Sequence, residues 1–524
     1  MFIGSFLSLP VQVKQSTMRE ASMKTVSIAA IFFNRLSPLG QGLSRFFEGL
    51  ATRTNRTSPT LWLILYLAGL VGWIAFFHTN HTGEEFYHAA DWSKEHQYFA
   101  VIQQSLQSAT MPWHTSIPLQ PSQPTDRFMA IPETLSLLAP QIQGLRWMSL
   151  EHFVLLNHLI MFTIGTLGWF ALSWRYQFPP FVAAIGFALF AFNGHIVAHI
   201  AAGHTMWNAY YWLPCLILLL LQSCERPPTL RLAMLMALTL GAIVLQGGCH
   251  LYIWSLFFLG LFFIVRPWRH RMIAVAAVLS VLLTAHRLAP AALTFHSNVH
   301  RLQGFASTHA LGESLLSRNL FNGSIFPWEY DSYIGPAAAL FLLVSLVLPL
   351  FIPVCRRAFL RYWPLMLPVV AFTALSFRSA PYFVLTYLPV PLLGTQRVPS
   401  RLVLLPLAVL ITVACIGATN LLSNCRRGWK ALAGMVGVVA TASTFWSLLR
   451  HGYHWRLAKM EMIASFRLIA GEKPIPAIVS KVDPMYVALV WSGLAVSMVT
   501  LTAMVWWLRK TRSQNTEVRS QESA

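Results

Sequence analysis

Long apolar runs separated by short polar connections are the dominant regularity of the sequence. A helix needs about 20 apolar residues to cross a hydrocarbon core of roughly 30 Å. About twelve such runs can be marked, near residues 60–77, 153–173, 179–198, 208–222, 230–247, 250–265, 272–293, 335–353, 363–376, 401–422, 430–449 and 485–508. The pattern predicts an all-α, polytopic helical membrane protein with about 12 transmembrane helices, or roughly 10 to 13 if the shorter runs tilt, break or re-enter. Around these runs the chain divides into a basic N-terminal arm (1–59), a main transmembrane module (60–425) with a long connection at 78–150, C-terminal helices (426–508) with a connection at 450–484, and a tail (509–524).

Composition agrees with lipid as the solvent. Of the 524 residues, 56% are hydrophobic and only 11% charged, against about 25% charged in ordinary soluble domains. The net charge of +20 does not point to nucleic acid, because the basic residues recur in clusters between apolar runs instead of forming one face. Those clusters set a topology. With the N-terminus cytoplasmic, the inner side receives Lys14 to Arg56, Arg175, Arg226, Arg231, the Arg266–Arg271 cluster, Arg356/Arg357/Arg361, Arg426/Arg427/Lys430 and Arg509/Lys510/Arg512. The C-terminus is then cytoplasmic as well, and the connections 78–150, 294–334, 377–400 and 450–484 fall outside. The apolar stretch Thr25–Phe33 is too short for a span, so residues 1–59 read as a cytoplasmic arm, partly amphipathic. The six cysteines show no CxxC spacing and imply no thiolate metal site.

Acidic residues are few, and the first external connection concentrates them: Glu84, Glu85, Asp91, Glu95 and Glu133. Asp91, Glu95 and Tyr98 share helical spacing, so one face of a helix on the membrane surface can present them together. A sheltered carboxylate there suits a general base; an amphipathic interfacial helix with solvated charges accounts for the same spacing. Glu133 follows Pro132, and either caps a helix start or faces the same pocket as Asp91.

The segment from Asp91 through Tyr98-Phe-Ala-Val-Ile-Gln-Gln-Ser-Leu to Met111-Pro112-Trp113 resembles the first external loop of bacterial polytopic glycosyltransferases of the GT-C fold, particularly the YfhO-like membrane proteins. Gly203-His204, Asn208 to Pro214, Gln246 to His250, Tyr333-Ile334-Gly335 and Thr395 to Arg401 resemble further segments of that family, in order, over roughly residues 60–425. The resemblance implies a GT-C-like module in the bacterial inner membrane, a polyprenyl-phosphate-sugar donor, and an envelope glycan, lipid or protein as acceptor. It implies an acidic residue of the first external loop as catalytic base or metal ligand, matched here to Asp91, and makes His204 a pocket residue. The chain departs from the pattern in lacking Asp-x-Asp. Glu84-Glu85 is the alternative acidic pair, and a lone Asp with a distant Glu makes a poor cage for a divalent cation, which is thus left open as a cofactor.

Arg397 and Arg401 stand against the topological bias, spaced i, i+4 around Pro399 at a helix start. Two guanidiniums beside free helical N–H groups suit a phosphate, and the family carries a similar segment, so both are expected to bind the donor phosphate. Asp331 is an alternative base or substrate contact, or a helix-capping acid. His195 and His199 have a spacing compatible with a metal, but no third ligand is fixed, and no metal ligands are assigned. The expected reaction is inverting sugar transfer on the external face, with Asp91 as base and Glu133 as a second catalytic carboxylate. No nucleotide-binding glycine loop occurs, in keeping with a lipid-linked donor. Two other classes stay open: a transporter or flippase of lipid-linked saccharides, and a non-catalytic membrane assembly protein.

Overall fold

The computed structural model describes residues 38–52, 59–80, 91–119, 125–293, 304–318, 327–381, 384, 398–455, 474–481 and 483–522. Glu84, Glu85 and Arg397 lie outside the described residues. The helices are α1 (Pro38–Ala51), α2 (Pro59–Asn80), α3 (Trp92–Ser108), α4 (Leu150–Tyr176), α5 (Pro180–Phe192), α6 (Gly194–Ala201), α7 (Leu213–Glu225), α8 (Leu230–Leu245), α9 (Cys249–Val265), α10 (Pro267–Leu283), α11 (Ala285–Ala291), α12 (Thr308–Leu316), α13 (Pro336–Phe351), α14 (Pro353–Phe359), α15 (Met366–Leu375), α16 (Leu404–Asn424), α17 (Arg427–His454) and α18 (Pro484–Glu522). The protein is an all-α polytopic membrane protein.

Each predicted apolar run contains a helix, but the runs differ in length. Among the described residues seven helices are long and apolar enough to cross a membrane, or eight if α10 and α11, bent by 71°, form one broken span. Leu230–Leu245, Cys249–Val265 and Pro336–Phe351 are apolar but shorter. The bend falls at Thr284, whose hydroxyl donates back to the Ser280 carbonyl at 2.8 Å. A side-chain bond of that kind competes with the backbone ladder.

Two classes of span follow from what they touch. Pro180–Ala201 and most of Pro399–Asn424 are enclosed by other helices, with Cys415 of α16 set against the Val182 carbonyl of α5. By contrast α2 exposes Leu63, Ile64, Leu67, Val71 and Ile74 along its length. A run of large apolar side chains facing outward is unfavourable in water and natural against lipid. At the break between α5 and α6, Asn193 accepts from the Ile196 N–H and donates to the Leu189 carbonyl, so both new helix ends are satisfied from one side chain.

The two ends of the bundle carry different chemistry. At one end, Arg175 donates to Glu225 at 2.7 Å, the Tyr362 hydroxyl donates to the same carboxylate at 3.1 Å, and Arg266 lies over the Trp363 ring. From there α5 and α6, 22 residues together as a span, rise about 33 Å to the other end. This second end gathers α3, the 125–149 segment, the turn after α6, the start of α9 and residues 327–335. Residues 474–481 lie over it. Ile478–Val479 (β2) pairs antiparallel with His114–Thr115 (β1), Lys481 meets Asp126 at 2.8 Å, and Arg127 meets Asp483 at 2.7 Å.

Asp331 ties α17 into this end. It is fully enclosed, accepts from His451 Nε2 at 2.8 Å and Trp455 Nε1 at 2.7 Å through one oxygen, and from the Tyr333 N–H at 3.0 Å through the other. Asp331→Ala leaves those buried donors unpaired and is expected to cost about 3 kcal/mol. Thermal unfolding in detergent measures it, and an unchanged melting temperature would contradict the assignment.

Candidate functional site

The site is built where α3 begins. Asp91 stands at the start of the helix, its N–H donating to the Ala202 carbonyl at 3.1 Å, and Trp92 Nε1 donates to the Ala201 carbonyl at 3.1 Å. Both bonds dock α3 on the end of α6. Gly203 permits the approach: its φ is +89°, and a side-chain carbon there would lie 2.4 Å from the Trp92 nitrogen. The chain then delivers His204, whose Nε2 donates to Asp91 Oδ2 at 2.9 Å.

Lys94 sits at the centre. One turn along α3 from Asp91, its Nζ lies 3.3 Å from Asp91 Oδ2, 3.9 Å from Glu95 Oε1 and 3.9 Å from Glu133 Oε2. The structure therefore brings Asp91 and Glu133 together around one ammonium. Thr205 donates to Glu95, and His250 Nε2 donates to Glu133 Oε1 at 3.1 Å. The cluster reaches the surface unevenly. Side-chain exposure is 36% at Asp91, 25% at Glu133 and 30% at His250, but only 5% at Glu95.

Glu133 is held by its backbone. The buried Arg287 of α11 donates to the Ile131 and Thr134 carbonyls, both at 2.8 Å, and to the Thr134 hydroxyl at 2.9 Å. On the opposite side Gly247, at φ +77°, lets the chain pass so close that a side-chain carbon there would stand 2.4 Å from the Glu133 carbonyl oxygen. The run near 272–293 thus contributes a buried cation that secures the segment carrying Glu133.

Behind the acids lies a second buried pair. Arg401 donates through Nε and Nη2 to Glu329, and its guanidinium lies 5.9 Å from the centre of the Trp207 ring. His199 stacks on the same ring. Its Nδ1 meets His204 Nδ1 at 2.6 Å and its Nε2 lies 4.0 Å from Glu329. Asp91, His204, His199, Glu329 and Arg401 therefore form one continuous polar chain from the surface into the bundle. Asp331 stays apart from the open cluster, enclosed by α17.

The electrostatics follow from these contacts. Burial alone would raise Asp91, but the Lys94 ammonium and the His204 hydrogen bond outweigh it and hold its carboxyl well below the usual carboxylate range. Burial opposes the charge on Lys94, yet Asp91 and the neighbouring acids keep it protonated and raise its proton affinity. Burial likewise opposes ionisation of Glu133, but His250 and Lys94 hold it well below the ordinary range. Glu95 behaves differently: burial pushes it up to about 7, although Lys94 and Thr205 favour its charge. Asp91 and Glu133 are thus anions at neutral pH, and Glu95 is the carboxyl that changes charge near neutrality.

The space between the three carboxylates is taken by Lys94 Nζ. Among the described residues no group of three or more His, Cys, Asp or Glu is arranged to hold a metal ion.

Three participants lie beyond the residues singled out from sequence: Lys94, Glu329 and Arg287. Lys94 did carry a signal, since it is the one lysine between Lys24 and Lys430. Comparison with known proteins adds no relative: no family model, no curated protein and no solved structure matches the chain.

Glu95 makes stability depend on pH. Folding raises its proton affinity above the ordinary value of 4.5, so its contribution is fully present below about 4.5, declines as pH climbs toward about 7, and is level above. Glu95→Gln keeps the bond to Thr205 and removes the ionisation. It is expected to be more stable than the parent at pH 8, by roughly 3 kcal/mol at most, with little difference at pH 4.5. Unfolding curves at the two pH values test this, and parallel pH dependence in both proteins would refute it.

Proposed function

We propose that this chain is an integral-membrane glycosyltransferase, GT-C-like in architecture, that moves a sugar from a polyprenyl-phosphate donor to an acceptor hydroxyl. The acceptor is an envelope glycan, lipid or protein. The basic end of the bundle faces the cytoplasm, as do both termini, and the acidic end faces outward across the bacterial inner membrane. Eight long spans, counting α10 and α11 as one, the three shorter apolar helices and α7 make up the twelve crossings of this reading. The observation that carries it is the convergence of Asp91, Glu133, Lys94, His204 and His250 in one partly open cluster at the end of a buried helical core.

The leaving group is already a phosphate ester, so the protein must orient the acceptor, receive a proton and match the growing phosphate charge. Asp91 carries both its described bonds on Oδ2. Its other oxygen is proposed to accept from an acceptor hydroxyl, and the low proton affinity of Asp91 makes it a better orienting anion than a proton store. Lys94 supplies the fixed positive charge. Donor phosphate binding is proposed for Arg397 and Arg401, with Arg401 exchanging Glu329 for the phosphate.

A second reading has its own observation. The 71° break between α10 and α11, with Arg287 buried beside it, is a discontinuous span of the kind that transporters build around their sites. Purified protein in lipid vesicles, given a polyprenyl-phosphate sugar and a hydroxyl acceptor, separates the two. Sugar transfer that falls at least about 100-fold in Asp91→Asn, with the melting temperature retained, supports the transferase. Unchanged transfer in that variant removes Asp91, and movement of the intact donor between leaflets without transfer favours the transporter.

A further inference from the structure

The proposed reaction releases a proton from the acceptor hydroxyl, and the acids at the opening are poorly suited to take it. Asp91 and Glu133 are committed anions of low proton affinity, and Glu95, only 5% exposed in its side chain, is enclosed and engaged by Thr205. His250 is neither enclosed nor fully engaged. It is the second residue of α9, its side chain is 30% exposed, and Nε2 lies 3.1 Å from Glu133 Oε1.

An ionised carboxylate can only accept, so Nε2 must carry the hydrogen in this pair. That fixes the neutral tautomer and leaves the lone pair on Nδ1. A carboxylate that orients an imidazole and steadies its protonated form is the arrangement by which a histidine becomes an effective base. The backbone that carries the orienting carboxylate is held from two sides. Arg287 grips the carbonyls on either side of it and Gly247 packs against its own carbonyl. The groups facing the pair from other elements are Lys94 of α3, close to Glu133, Arg401, whose field favours the Glu133 anion, and Arg287, which acts on the adjoining Cys249.

Resting on the proposed function, we infer that His250 is the general base of the transfer and Glu133 its positioning residue. The acceptor oxygen forms the new bond to the anomeric carbon, the bond from that carbon to the phosphate oxygen breaks, and the lipid phosphate leaves with the electron pair. The hydroxyl proton passes to His250 Nδ1 and then to solvent. Asp91 holds the acceptor, so the two residues contribute separately.

His250→Gln and Glu133→Gln, each in the full chain in lipid, test the inference. In the parent, kcat/KM should fall as pH drops and the imidazole is occupied. His250→Gln should lower kcat by 10²- to 10⁴-fold, flatten that acid limb and leave donor KM within about threefold. Glu133→Gln should keep the limb but move it to lower pH, which a merely structural role would not do. A parent that transfers sugar together with a His250→Gln variant of near-parental kcat and unaltered acid limb overturns the inference while sparing the function. If no donor is turned over, the function fails, and the pair is read chemically: diethyl pyrocarbonate labelling of His250, followed by mass spectrometry across pH, should shift to lower pH in Glu133→Gln. Absence of labelling in the parent, or an unmoved midpoint, overturns the pair.

Discussion

The ammonium of Lys94 and the carboxylates of Asp91 and Glu133 cannot be separated without leaving a charge unpaired. Removing one member of such a pair leaves the other uncompensated, at a cost that grows with its burial. With Nζ at 3.3 Å from Asp91 and 3.9 Å from both Glu95 and Glu133, the charges require one another. That requirement draws α3 and the 131–135 segment to a common point. Through His204 and His250 it fixes the turn after α6 and the start of α9 as well.

The surrounding framework makes the point rigid. The span Pro180–Ala201 is enclosed on all sides and carries the turn that meets Asp91, while the buried guanidinium of Arg287 secures the segment that carries Glu133. Behind them, the Arg401 and Glu329 pair repeats the same solution deeper in the bundle, with Trp207 and His199 between the two. Fixed charges on rigid elements need little reorganisation during a reaction, which is the property that electrostatic catalysis depends on. At Asp91, Glu133 and His250 this polar chain is open to the surface.

Much of the fold was legible because lipid-facing and enclosed helices are both apolar, and apolar runs need no partner to be recognised. Lengths were less legible. The run near 272–293 breaks at Thr284 and conceals a buried arginine, which the run's overall hydropathy masks. At the site, Asp91 and Glu133 stood out because acids are scarce, and their meeting was one of two readings open for Glu133. The role of Lys94 was hidden because a lysine on a polar helix face ordinarily reads as solvated; only its isolation between Lys24 and Lys430 marked it. Glu329 pairs with Arg401 across 72 residues, and Asp331 is enclosed by His451 and Trp455 from a helix more than a hundred residues away. Neither pairing leaves a local pattern in sequence.

On the proposed function, the cluster around Lys94 receives a lipid-linked sugar. Cryo-electron microscopy of the protein in a lipid nanodisc with a non-hydrolysable polyprenyl-phosphate sugar tests it most directly. Sugar density is expected within hydrogen-bond reach, about 3 Å, of Asp91 and beside His250, with Lys94 still bridging the carboxylates and the phosphate toward Arg401. Density for the ligand elsewhere in the bundle, with this cluster unoccupied, would contradict it.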